Sequence, residues 1–243
     1  MRFHVEPNAL YGDSSQLVVT ICARNGLPLD DRAITLLREF AAQIEERNRQ
    51  LNLVSRADTA SLWTAHILHS LSLLFVLKIP ERATVLDLGT GGGFPGVPIS
   101  IVRPDLTMVH VDSIAKKTNA LREMLRAIGL SNQVLTGRAE EIARSPEWQH
   151  RFDLVLARAV APLADLVRWS RPLLKIRPLH DTPGHAQLLS VPALVAMKGG
   201  DLTEEITRAR ATSRPAHITV IDLDFPGCRE AALEEKKLIV VHP

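Results

Sequence analysis

Cysteine is scarce in this sequence, at two residues in 243, and Cys22 and Cys228 stand far apart with no second thiol or histidine at metal-ligand spacing. Neither a disulfide framework nor a zinc site is expected. No stretch approaches the roughly 20 uninterrupted apolar residues that a bilayer span needs. Met1 to Leu10 lacks the basic segment and apolar run of a secretory leader. These absences predict a soluble, cytoplasmic protein without a metal or a membrane partner. Repeats, low-complexity tracts and long runs of one charge sign are absent too, and the net charge is only +2. Binding to nucleic acid is therefore permitted by charge but not argued by it. The local basic groups, Arg47, Arg49 and Arg56, then Arg168, Arg171, Lys175 and Arg177, read first as solvated faces.

With 46% hydrophobic residues the chain can bury a substantial core. Its length suits an α/β domain of about 150 residues with a helical appendage. The first residues, to Gly26, are weakly periodic. From Leu29 the pattern turns helical: Asp30 and Asp31 can cap, and Ile34, Leu37, Ala41 and Ile44 recur every three or four residues as far as Leu51. A second amphipathic segment runs from Thr59 to Leu77 and is stopped by Pro80. Residues 1–80 are thus expected to form an N-terminal helical cap, and 81–243 the α/β domain.

After Pro80 short aliphatic runs alternate with helical stretches, the signature of a parallel sheet covered on both faces. Strands are expected at Ala83 to Leu88, Thr107 to Val111, Gln133 to Thr136, Phe152 to Ala157, Ala193 to Met197, His217 to Leu223 and Lys237 to Val241. Helices are expected near Pro95 to Val102, Ile114 to Ile128, Arg138 to Arg144, Pro162 to Leu173 and Leu202 to Ala211. No helical pattern separates the last two strands, which predicts a closing antiparallel hairpin on a mostly parallel seven-stranded sheet. Lys175 to Pro192, with Pro178, Pro183, Gly184, His180 and His185, reads as a long loop.

The strongest motif is Val85-Leu86-Asp87-Leu88-Gly89-Thr90-Gly91-Gly92-Gly93-Phe94-Pro95-Gly96, at the end of the first strand, where open α/β sheets bind ligands. Glycine there permits a positive φ and lets the backbone approach a ligand; Pro95 suits the start of a helix. Gly91 to Gly96 also fits the dinucleotide spacing Gly-x-Gly-x-x-Gly, a weak signal alone. Asp87 discriminates between the two readings. Its carboxylate would repel a pyrophosphate but is compatible with the sulfonium and ammonium groups of S-adenosylmethionine. Asp112, closing the second strand, can accept hydrogen bonds from ribose hydroxyls in either kind of site. Ala139 and Glu140 follow the third strand in position to flank an adenine ring, though the helix dipole alone could account for Glu140. Arg158 follows the fourth strand at the same edge, able to grip a carboxylate or an RNA phosphate, or else to pair with Asp153 or Asp165. Lys198, after the fifth strand, is a second positioning candidate whose alternative is a solvated turn lysine.

Together these pieces resemble the bacterial small-subunit ribosomal RNA methyltransferase G family, also called glucose-inhibited division protein B. The matching segments are Leu51-Asn52-Leu53, His66-Ile67-Leu68-His69-Ser70, the Asp87 to Gly96 run, Asp112-Ser113 with Lys116-Lys117, Arg138-Ala139-Glu140, Arg158-Ala159 and Lys198-Gly199. The resemblance covers most of the chain. It implies a Rossmann-like class I methyltransferase fold and methyl transfer from S-adenosylmethionine to N7 of one guanine in 16S ribosomal RNA. The RNA or the 30S particle would be the partner, with the enzyme a monomer. It also implies cofactor contacts at Gly89, Phe94, Ala139, Glu140 and Arg158; Asp87, Gly91 and Asp112 join that set from the motif reading. Two departures stand out: His69 occupies a place usually held by aspartate, and the Lys175 to Pro192 loop replaces a short glycine turn. His66 and His69 read equally as packed helix residues or as RNA contacts.

Guanine N7 carries an available lone pair, so no general base is required and catalysis would rest on alignment. No Asn-Pro-Pro-Tyr segment or motif-edge cysteine, suited to amino-group or carbon-5 methylation, is found. The competing readings are a non-catalytic RNA-binding protein that keeps the cofactor fold and an NAD-dependent oxidoreductase, against which Asp87 argues.

Overall fold

The computed structural model describes residues 12–55, 61–176 and 189–242. Within them lies a seven-stranded sheet of order β3-β2-β1-β4-β5-β7-β6. The strands are β1 Thr84–Leu88, β2 Thr107–Asp112, β3 Gln133–Thr136, β4 Leu154–Arg158, β5 Ala193–Gly199, β6 His217–Asp222 and β7 Lys236–His242. The first five are parallel, and β7 runs antiparallel to both β5 and β6. The closing hairpin is therefore present, with its second strand inserted between β5 and the exposed edge strand β6.

Alternation along each strand divides the core between the two faces. Val85, Leu154, Leu156, Val195 and Val240 pack with the N-terminal helices in one cluster. Their neighbours Leu86, Val155, Ala157, Leu194 and Ile239 pack in the other. That second cluster includes residues of α6 (Ala139–Arg144), α7 (Leu163–Ser170) and α8 (Thr203–Ser213). Burial on both faces explains why β1, β4 and β5 are near-continuous apolar runs.

The N-terminal helices are α1 Gly12–Arg24, α2 Asp31–Leu51 and α3 His69–Val76. Asp30 caps α2 by accepting from the Ala33 amide at 2.7 Å. Helix α1 was not expected from the sequence. Its Leu17 to Ile21 run is β-branched and strand-like in texture, but Val18, Ile21 and Cys22 are buried against the other helices, and packing overrides propensity. The segment expected as one helix from Thr59 to Leu77 is instead a π-helical stretch, Leu62–Leu68, running into α3. Residues 56–60 lie outside the described residues. The turn of π-helix moves the His69 amide bond to Thr64 O and His66 O, releasing Ala65 O from that amide.

The connection between β6 and β7 clasps these helices. Asn25 Nδ2 donates to Pro226 O at 2.9 Å, and Phe75 meets Phe225 edge-on with centroids 5.1 Å apart. On the same face of the sheet, packed in one cluster with these helices, lie α4 Gly96–Val102 and α5 Ala115–Ala127, which complete βαβ crossovers. Of the Lys175 to Pro192 loop, residues 177–188, with His180 and His185, lie outside the described residues.

Candidate functional site

Where β1 ends, the chain turns sharply because two backbone amides tie it to the neighbouring strand. Gly89 N and Thr90 N both donate to Val111 O, at 2.8 and 2.9 Å. Gly89 sits at φ +72°, and a Cβ there would lie 2.5 Å from Val160 Cγ2, so glycine is required on both counts. Gly91, at φ +55°, is different: a Cβ there would stand in open space, because its backbone forms part of a cleft wall.

That cleft has a volume of about 510 Å³, within the size range of small-molecule sites. Gly89, Gly91, Phe94, Asp112, Ala139, Glu140 and Arg158 all line it. The ends of β1, β2 and β4 and the start of α6 bring these residues together from four separate parts of the chain. Asp112 forms the floor beside the bend. Its Oδ2 accepts from Gly91 N and its Oδ1 from Ile114 N, each at 2.9 Å. Glu140 stands at the outer end, 3.9 Å from Arg138 Nη1.

Asp87 lies elsewhere. It is fully buried and is not part of the cleft wall. Its Oδ2 accepts from Thr90 Oγ1 at 2.6 Å, from Gly96 N at 3.0 Å, and faces His110 Nδ1 at 3.2 Å. Asn132 Nδ2 donates to His110 Nε2, which leaves the ring proton on Nδ1 to donate to Asp87. The carboxylate thus braces the bend from beneath. The argument that set a carboxylate against a pyrophosphate transfers to Asp112, which is on the wall and already occupies the Gly91 amide.

Arg158 extends from β4 into the N-terminal helices. Nη1 donates to Ala65 O at 3.2 Å, Nη2 donates to His66 Nδ1, and the guanidinium lies 5.3 Å from the Phe94 ring centroid. The two acids that the sequence offers as alternative partners are engaged with other bases, Asp153 with Lys175 at 2.7 Å and Asp165 with Arg168 at 2.8 Å. The π-helical stretch presents the carbonyl and imidazole that Arg158 meets. Lys198 does not reach this cleft. Its Nζ donates to Ala161 O at 2.8 Å and to Glu205 Oε1 at 2.6 Å, so it is a braced lysine, not a solvated one, on the wall of a neighbouring cavity.

Lys117, Ile114, Val160, Trp169 and Ser55 also line the cleft. Lys117 was legible as part of the Lys116-Lys117 segment. Ile114 carries a signal only the structure reveals, a large apolar side chain left 48% exposed on the cleft wall. The site therefore offers an amide-lined bend, two carboxylates, an apolar flank and, at its inner end, a fixed guanidinium. The open space over Gly91 and the acceptor oxygens of Asp112 fit a ligand with ribose hydroxyls and a positive centre.

Comparison with known proteins bears on the same residues. The model of the GidB family, rRNA small subunit methyltransferase G, matches residues 33–179. Ribosomal RNA small subunit methyltransferase G of Chlorobaculum tepidum is 38% identical over 203 residues, covering 83% of this chain and 84% of the relative. The protein of the same description from Roseiflexus is 33% identical over 220 residues, covering 89% and 86%. Among solved structures, a predicted O-methyltransferase from Agrobacterium tumefaciens superposes with a TM-score of 0.51 at 14% identity, covering 71% of this chain and 79% of that one. A candidate S-adenosyl-L-methionine-dependent methyltransferase from Methanococcus maripaludis gives 0.50 at 13% identity, covering 83% and 91%. The last two speak to the fold alone.

Proposed function

The chain belongs to the rRNA small subunit methyltransferase G family, and from that premise we propose that it transfers the methyl group of S-adenosylmethionine to N7 of a guanine in 16S ribosomal RNA. The observation that carries this reading is the convergence of the glycine bend, Asp112 and Arg158 on one cleft at the carboxyl edge of a parallel sheet. S-adenosylmethionine, when bound, supplies an electrophilic methyl group on a positively charged sulfur.

The protein's part is to hold and orient. Asp112, with two amides already fixing its carboxylate, is aimed to accept from ribose hydroxyls. Glu140, Ala139 and Ile114 flank the place for the adenine ring. Gly89 and Gly91 let the backbone approach the charged end, and Arg158, between Phe94 and His66, closes the inner side. Guanine N7 needs no proton removed before it attacks, so alignment and exclusion of water suffice. Asp87 acts through the bend as a positioning residue, and Lys198 through the Ala161 carbonyl.

The N-terminal helices of the 1–80 segment serve as a cap that supplies His66 and Leu53 to the cleft wall. The partner is small-subunit RNA or the 30S particle, met by a monomer in the cytoplasm. Among the described residues no helix is long and apolar enough to cross a membrane. The test is twofold: calorimetric binding of S-adenosylmethionine, and transfer of labelled methyl to small subunits from a strain lacking the enzyme, with the modified nucleotide mapped. Binding and labelling at a guanine are expected. No binding, or a pyrophosphate cofactor in its place, would sink the reading.

A further inference from the structure

A second cavity, of about 580 Å³, adjoins the first, and Arg158 and Ala159 line both. Val160 lines the first and lies over the glycine bend, where a Cβ on Gly89 would stand 2.5 Å from it. The connection from β4 to α7 is therefore the partition between the two spaces. Methyl transfer needs donor and acceptor in line, so the place of this partition bears on their alignment.

The partition is a strained piece of chain. Ala159 sits at φ +56°, in the left-handed region that a residue with a Cβ occupies only when its surroundings hold it there. Two side chains from elsewhere do the holding. Lys198 Nζ, from β5, donates to Ala161 O at 2.8 Å. Glu205 Oε1, from the first turn of α8, accepts from that same Nζ and from Leu163 N, each at 2.6 Å. One carboxylate oxygen thus fixes the end of the connection directly, at the first amide of α7, and its middle through the lysine. Both side chains are largely withdrawn from water, 16% exposed for Lys198 and 25% for Glu205, so these charge-assisted bonds are little screened. Glu205 itself lines neither cavity.

We propose that Glu205 is a positioning residue for the transfer, acting through Lys198 and the Leu163 amide to hold the 158–163 connection in its left-handed turn and so to set where Arg158 and Val160 stand. The inference rests on the methyl-transfer reading above and adds to it a group that touches neither cofactor nor acceptor. Without the carboxylate, Lys198 loses the partner that aims it at Ala161 O, and Leu163 N loses its acceptor. Ala159 is then free to relax to a negative φ, which turns the backbone carrying Arg158 and Val160. A displacement of about 1 Å at a reacting site costs up to about 100-fold in rate.

The test is single-turnover methyl transfer to small subunits from a strain lacking the enzyme, with the rate expressed per S-adenosylmethionine-binding molecule so that loss of folded protein does not enter. Glu205→Ala is expected to lower this rate about tenfold, with S-adenosylmethionine affinity changed less than about twofold. Glu205→Gln keeps an acceptor oxygen for Lys198 and the Leu163 amide and should recover most of the loss. Ala159→Gly, placed in the Glu205→Ala chain, should recover part of it, because glycine holds a positive φ without the clamp. A brace that served stability alone would move the thermal midpoint and leave the rate unchanged. Should Glu205→Ala not fold, Lys198→Met cuts the same link from its other end and is expected to lower the rate by a similar factor. A wild-type rate per binding molecule in either variant would overturn the assignment while leaving the methyltransferase reading intact. Wild-type protein that labels no small subunits would overturn that reading and this inference with it.

Discussion

The Asp87 carboxylate accepts from the Gly96 amide at 3.0 Å and so fastens the start of α4 to the end of β1 across the glycine bend. Two further donors, Thr90 Oγ1 and His110 Nδ1, converge on the same oxygen, while Oδ1 is buried without a partner among the described residues. Removing the acceptor would leave several buried donors unsatisfied, at about 1–3 kcal/mol each. Asp87→Ala is therefore expected to destabilise the fold by about 3 kcal/mol or more, read as a lower denaturant midpoint at unchanged slope. Asp87→Asn keeps one acceptor but sets an amide where Oδ1 lacks a partner, and should fall between. If Asp87→Ala lost cofactor affinity at full stability, the residue would be acting in the cleft and not beneath it.

Gly89 and Gly91 should separate folding from binding. Gly89→Ala adds a left-handed strain of about 1–2 kcal/mol and a 2.5 Å clash with Val160. Stability should drop, and Val160→Ala in the same chain should recover part of it. Gly91→Ala carries the strain without the clash, and its methyl group projects into the cleft. Thermal scans should show a smaller loss for Gly91→Ala, and calorimetry a larger loss of S-adenosylmethionine affinity per unit of stability lost. The reverse ordering would mean that the cleft wall has been misread.

Arg158 ties the two halves of the site together through Ala65 O and His66 Nδ1. Charge-assisted bonds of this kind are worth about 1.5–3 kcal/mol, so Arg158→Ala should reduce methyl transfer by about 10–100-fold. Arg158→Lys should recover little, because a single ammonium cannot span both acceptors and the Phe94 ring at once. Rates on small subunits decide it: wild-type turnover by Arg158→Ala would remove the residue from the site.

The central strands β1, β4 and β5 were legible because they are buried on both faces, which writes them as apolar runs; β3, though half exposed, also falls at the expected Gln133–Thr136. The glycine bend was legible for a related reason, since positive φ and close approach leave few alternatives to glycine. Asp87 was legible as important but not as buried, because spacing along a strand cannot reveal that Gly96, Thr90 and His110 turn back onto it. Helix α1 and the π-helical turn were hidden: both depend on partners far away in the chain, Gly227 against Ile21 of α1 and Arg158 against Ala65 of the turn. Lys198 was placed at the right edge, yet its pairing with Glu205 on α8 needed the fold to be seen.

The depressed pKa of His69 fixes the sign of one pH effect. In the unfolded chain a histidine titrates near 6.5, whereas in the fold His69 does so at about 3, chiefly because of burial and then the charge of Arg158. Above about pH 6.5 both states are neutral there and the contribution to stability is fully present. As pH falls below 6.5 the unfolded state takes up a proton that the folded state refuses, so stability is lost by up to about 1.4 kcal/mol per pH unit until the folded group titrates. His69→Gln removes that one proton from the linkage. Chemical denaturation at a series of pH values between 4 and 6 should therefore give a slope shallower by close to one proton in His69→Gln than in wild type. Parallel slopes would show that His69 takes up its proton in the fold over the same range as in the unfolded chain, and that burial beside Arg158 does not hold the ring neutral.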